Sequence, residues 1–259
     1  MRNKQYDNDR REALFRVAAA TALFGALYPA HLWAGGRPSD MDAWAQALVD
    51  LNESLQAGRL TVTEWQGRVE TLHRSVQTAD LVRYLDIERL ANRFRYATLL
   101  AETADLAVPA RATGARRWFA RIFGLRSGGS IIPHVHNNMV SAHLVVSGGF
   151  RVRTHDRIRD LNDAVVLRPS IDKQVSVGAV LTMSDRLDNQ HWLVARADRS
   201  LTFDVGVVDV PASWDYRLQA NANNMIFVDV DRRPESDGLV IAPILSFKES
   251  VQKYANGAA

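Results

Sequence analysis

The chain has 259 residues, 47% of them hydrophobic and 24% charged, enough for one large or two small globular domains with a sizeable core. Its formal net charge is only +3 and no long Lys/Arg run occurs beyond the first sixteen residues, which argues against a nucleic-acid groove. Cysteine is absent, which excludes disulfides, thiolate metal sites and cysteine nucleophiles together.

Residues 9–34 hold the pair Arg10-Arg11, Leu14 three residues later, an apolar run over 17–27 and a small-residue site at Ala30 or Ala34. This arrangement resembles a twin-arginine export signal, with Asp9 and Ala13 departing from the usual pattern. The apolar run is shorter than the roughly 20 residues of a bilayer-spanning helix. The resemblance implies that 1–34 is removed, leaving a periplasmic or cell-envelope protein with no stable membrane span. The alternative is an ordinary amphipathic first helix in a cytoplasmic protein.

Residues 38–110 read as helical. Asp40 is a good N-cap, and Trp44, Leu48, Leu51 and Leu55 recur at helical spacing until Gly58. Thr63 with Gln66 suggests a capping box that opens a second helix through His73. A third helix is expected over 80–106, with Leu81, Leu85, Leu90, Phe94 and Leu99 as its apolar stripe and Pro109 closing it. No catalytic constellation is visible here, and His73 reads as a solvated or core-edge residue.

From Trp118 the texture changes to short runs of Val, Ile, Phe and Thr broken by turn residues. Strands are expected at 120–125, 131–134, 142–146, 150–154, 164–167, 174–177, 180–183, 191–195, 201–210 and 225–230. The fold class is therefore mainly β: a jelly-roll barrel over 115–230 after an all-α N-terminal region, with a C-terminal extension (231–259) ending in a helix over 246–254.

Five of the seven histidines fall between positions 134 and 191: His134, His136, His143, His155 and His191. Gly128 is followed by five residues and His134-Val135-His136, then by four residues and Ser141, then by six and Gly148. This resembles the first metal motif of the cupins, with serine where the family has glutamate. Alternation along a strand lets His134 and His136 share one face. Val177-Gly178-Ala179 resembles the turn of the second cupin motif, and His191, opening the run His-Trp-Leu-Val-Ala, is the histidine nearest to it. His191 is read as the third ligand, the alternative being a histidine that caps a strand end.

The resemblance covers less than half of the chain. It implies one divalent metal held by His134, His136 and His191, with Fe(II) the chosen reading and Zn, Mn, Ni and Cu left open by nitrogen ligands. With the glutamate gone, the set is similar to the three-histidine thiol dioxygenases, which implies a dioxygenase-like oxidoreductase acting on a small anionic substrate. His143 shares a face with Ser141 and is read as a fourth ligand, a proton-transfer residue or simple packing. Arg153 would clamp the anion if its face of the strand points inward. The competing function is a non-catalytic, metal-containing ligand-binding module of the cell envelope. The apolar face Ala142, Leu144, Val146 leaves a homodimer open. No phosphate loop, nucleophile elbow or His-Glu-x-x-His motif is present.

Overall fold

The computed structural model describes residues 38–112, 117–211 and 214–255. The export-signal reading falls on residues outside these. Among the described residues four helices come first: α1 (Pro38–Gln56), α2 (Val62–Arg74), α3 (Thr78–Tyr84) and α4 (Ile87–Ala91). The capping box of α2 lies two residues earlier than the spacing suggested. Glu64 N–H donates to Thr61 Oγ1 at 3.2 Å and Thr61 N–H donates to Glu64 Oε2 at 2.8 Å. Gln66 is buried instead, and takes a hydrogen bond from Ser184 at 2.6 Å.

The single helix expected over 80–106 does not form. Asp86 adopts a left-handed conformation (φ 52°) between α3 and α4, and the chain leaves helix at Ala91. Of the expected apolar stripe Leu81 and Leu85 are buried, whereas Leu90, Phe94 and Leu99 are only partly so. Residues Glu102–Asp105 then form β1, paired with 121–124.

The remaining strands are β2 (Trp118–Leu125), β3 (Ser130–His136), β4 (Met139–Ser147), β5 (Gly149–Asp160), β6 (Ala164–Ser176), β7 (Val180–Met183), β8 (Gln190–Ala195), β9 (Ser200–Val208), β10 (Met225–Phe227) and β11 (Val240–Pro243). The C-terminal helix α5 spans Phe247–Tyr254. They build two curled antiparallel sheets, ordered β1-β2-β9-β4-β7 and β10-β3-β8-β5-β6-β11, so the molecule is mainly β, as a jelly roll requires. The runs 164–167 and 174–177 belong to one strand, β6, that passes through Pro169. Proline is tolerated there because β11 pairs only with 164–167 and the ladder to β5 shifts register at Thr154/His155. At the β4–β5 turn Gly148 has φ 64°, and a Cβ there would lie 2.9 Å from Ser200 Cα.

Alternation along the strands sorts the side chains into three layers. Trp44, Leu48, Trp65 and Val69 of the helices pack on the outer face of the five-stranded sheet, against Ala142, Leu144, Val146, Phe203 and Val205. The expectation that Ala142, Leu144 and Val146 offer a dimer face is thereby corrected, because the chain's own helices cover it. Trp192 and Tyr254, ring centroids 5.0 Å apart, anchor α5 on the outside of the six-stranded sheet. Between the sheets, Val145, Phe150, Val152, Leu181 and Leu193 form an apolar cluster, and the strands that carry it continue into the buried histidines. Among the described residues no helix is long and apolar enough to cross a membrane.

Candidate metal centre

His134 and His136 project from the same face of β3, as two-residue alternation demands. Strand β8 lies hydrogen-bonded beside β3 and brings His191 directly opposite His134. The loop from Ser184 to Asn189 accounts for the distance in sequence between Gly178 and this strand. One ligand atom from each of the three residues lies within 4.8 Å of the others, and all three side chains are buried.

The ring nitrogens are sorted by their hydrogen bonds. His134 Nδ1 lies 2.8 Å from the Ile132 carbonyl, His136 Nδ1 3.2 Å from the Asn224 carbonyl and His191 Nδ1 3.3 Å from the Asn189 carbonyl. A carbonyl can only accept, so each Nδ1 carries the proton and each Nε2 presents a lone pair. The Nε2 atoms of His134 and His136 are 3.1 Å apart. Two lone pairs at that distance repel unless a proton or a cation lies between them. Protonation is disfavoured: burial pushes His134 down to about 4, and burial followed by repulsion among neighbouring histidines holds His136 and His191 well below the ordinary value.

Three residues outside the predicted set hold this geometry. Asn189 accepts from His136 N–H at 3.3 Å and donates to its carbonyl at 3.1 Å, while its own carbonyl orients His191. Arg157, fully buried, donates to the His136 carbonyl at 3.1 Å and to Asn137 Oδ1 at 2.7 Å, and its charge is met by Asp160 at 2.8 Å. Asn224 supplies the carbonyl for His136. Only Asn189 stands near a predicted ligand in sequence, two residues before His191.

His143 lies on the facing sheet with its ring centroid 5.9 Å from that of His191. Its nitrogens look elsewhere: Nδ1 is 3.3 Å from Thr202 Oγ1 and Nε2 is 3.6 Å from Asp204 Oδ1. It therefore stands beside the three-histidine group without joining it. Ser141, at the position of the family glutamate, donates to Met183 Sδ at 3.7 Å. His155 bonds Gln190 through Nδ1 and takes no part.

Arg153 is not at the centre, and the reading of it as an anion clamp is corrected. It pairs in register with Trp192, whereas Thr154 pairs with His191, so Arg153 occupies the outer face of the sheet. There its guanidinium lies 5.0 Å from the Trp192 ring centroid and 3.3 Å from Asp172. The guanidinium lies over the indole face, a cation–π contact, and its charge is met by Asp172.

No family model matches the sequence, and no curated protein matches it. Solved structures of similar shape are cupin and double-stranded β-helix proteins. KdgF from Halomonas sp. shares 18% identity over 42% of this chain and 78% of its own, with a TM-score of 0.31. A cupin superfamily protein from Desulfitobacterium hafniense shares 13% over 46% and 88%, with a TM-score of 0.32. The cupin domain of Schizosaccharomyces pombe Cnp3 shares 9% over 42% and 65%, with a TM-score of 0.31.

Proposed function

We propose that the protein holds one divalent transition-metal ion through Nε2 of His134, His136 and His191, and works as a dioxygenase-like oxidoreductase on a small anionic substrate, with iron as its metal. The observation that carries the metal reading is the 3.1 Å approach of two Nε2 lone pairs in a buried setting. The donor set fits such an ion. Metal–imidazole bonds of about 2.0–2.1 Å place neighbouring nitrogens roughly 3 Å apart, and backbone carbonyls on each Nδ1 are the usual outer partners of metal-bound histidines.

Ferrous iron at this position would supply one-electron chemistry toward dioxygen and a positive charge for an anion. The chain's own residues set the conditions. Three neutral imidazoles with no carboxylate at Ser141 leave the charge of a divalent ion uncompensated, which favours an anionic substrate. Asn189 and Arg157 fix the ligands in place, and the buried surroundings exclude water. His143 stands close enough to line the substrate space. The reading as a closed, non-catalytic module requires a fourth protein ligand, and the partners of His143 weigh against that role. Export before the protein acts in the periplasm belongs to the same proposal.

Elemental analysis of protein purified from its native compartment, combined with oxygen uptake against thiols and carboxylates, tests the proposal. Iron near one equivalent with substrate-dependent uptake supports it. Zinc without uptake points to the binding module, and absence of any metal together with no uptake on adding iron refutes both.

A further inference from the structure

Along β9 the apolar Leu201, Phe203 and Val205 enter the core beneath the helices, whereas Thr202 and Asp204 face between the sheets. Asp204 is 3% exposed, and its Oδ1 accepts no hydrogen bond among the described residues. The groups around it are engaged elsewhere or lie beyond hydrogen-bond distance. His143, opposite it on β4, holds Nε2 at 3.6 Å, and Thr202 Oγ1 stands against His143 Nδ1. Arg121, its register partner on β2, turns its guanidinium to Asp105 at 2.7 Å. A buried polar atom without a partner is destabilising, and a fold that keeps one does so where something else completes it.

We propose that Asp204 is a ligand-facing acid of this site: its carboxyl hydrogen-bonds an oxygen of a small carboxylate or hydroxy-carboxylate held at the three histidines. The proposal rests on the metal reading above and names the substrate class that reading leaves general. The hydrogen bond runs from the carboxyl to the anion, since burial pushes Asp204 up to about 8 against the opposing charge of Arg121. His143 lines the same space, its ring 5.6 Å from Phe123 and 5.9 Å from His191 between centroids.

The test uses the full chain loaded with Co(II) and titrated with glycolate, following the visible absorption of the metal. Wild type, Asp204→Asn and Asp204→Leu are compared, and each is melted without glycolate. All three are expected to hold the same Co(II) equivalent. Glycolate should bind about ten-fold more weakly to Asp204→Leu, whereas Asp204→Asn, whose amide can still donate to the anion, should stay within a few-fold of wild type. Asp204→Leu should melt at or above the wild-type temperature, because an unpartnered buried group is gone. The groups facing Asp204 are His143 and Arg121. With both unchanged, wild-type affinity for glycolate should fall as pH rises past about 8, and that fall should vanish in the variants. Equal glycolate affinity in wild type and Asp204→Leu overturns the proposal, as does failure of Co(II)-loaded wild type to bind glycolate. A wild type that takes up no Co(II) overturns the metal reading, and this inference with it.

Discussion

Replacing His73 by leucine should make the protein more resistant to acid. The imidazole is buried between Trp44 and Phe203, with ring centroids 5.8 Å away in each case. Neither ring nitrogen has a hydrogen-bond partner among the described residues, and burial pushes the group from 6.5 down to about 4. The folded value lies below the unfolded one, so the unfolded chain takes up the proton first as pH falls. Stability is complete above about 6.5 and declines through the interval down to about 4. At about 1.4 kcal/mol for each tenfold change, the loss from this residue reaches about 3 kcal/mol. Urea unfolding of wild type and His73→Leu at a series of pH values from about 7 to 4, with chelator present, isolates it, because the other histidines cancel in the difference. The variant should already be about 1–2 kcal/mol more stable near neutrality, having lost two unsatisfied nitrogens, and its advantage should widen by about 3 kcal/mol at the acid end. An advantage that does not change with pH would show that the reasoning about this interface is wrong. The consequence reaches the site, since Phe203, which the His73 ring touches, lies between Thr202 and Asp204 on β9.

Three further outcomes are expected. Asn189→Ala removes both hydrogen bonds to the His136 backbone and should lower metal affinity about 10–100-fold while the fold is retained, as read by competition with a chromophoric chelator. Arg157→Ala leaves Asp160 buried without its counter-charge and should cost about 3–5 kcal/mol in chemical denaturation. Arg153→Ala removes a partly exposed pair with Asp172 and a cation–π contact on Trp192; it should change stability by no more than about 2 kcal/mol and leave metal affinity untouched, whereas a large loss of metal would return Arg153 to the site.

Local pattern was informative wherever one strand or one turn decided the matter. Glycine at 148 announced a turn that only a residue tolerant of positive φ can make, and His-x-His placed two imidazoles on one face wherever β3 came to lie. The same reasoning failed where two local solutions were equally good. The apolar stripe of 80–106 suits one long helix or two short ones, and only the sheet beneath selects the break at Asp86. Arg153 and Thr154 are equivalent as alternating strand residues. Which of them points inward was settled by pairing with Trp192 and His191. Nothing in the run 201–210, which holds both Asp204 and Asp209, marked Asp204, because the missing hydrogen bond on its Oδ1 is a property of its neighbours.

The sequence alone therefore determined most of the strands between 118 and 208 and that His134 and His136 share a side, because these follow from steric preferences within a few residues. Only the tertiary structure decided that His191 faces His134, that Asn189, Arg157 and Asn224 hold the ligands, and that Asp204 stands without a hydrogen bond on Oδ1. Those facts are distances between residues far apart in the chain. They are set by sheet register and by which hydrogen bonds remain once both faces of each sheet are buried.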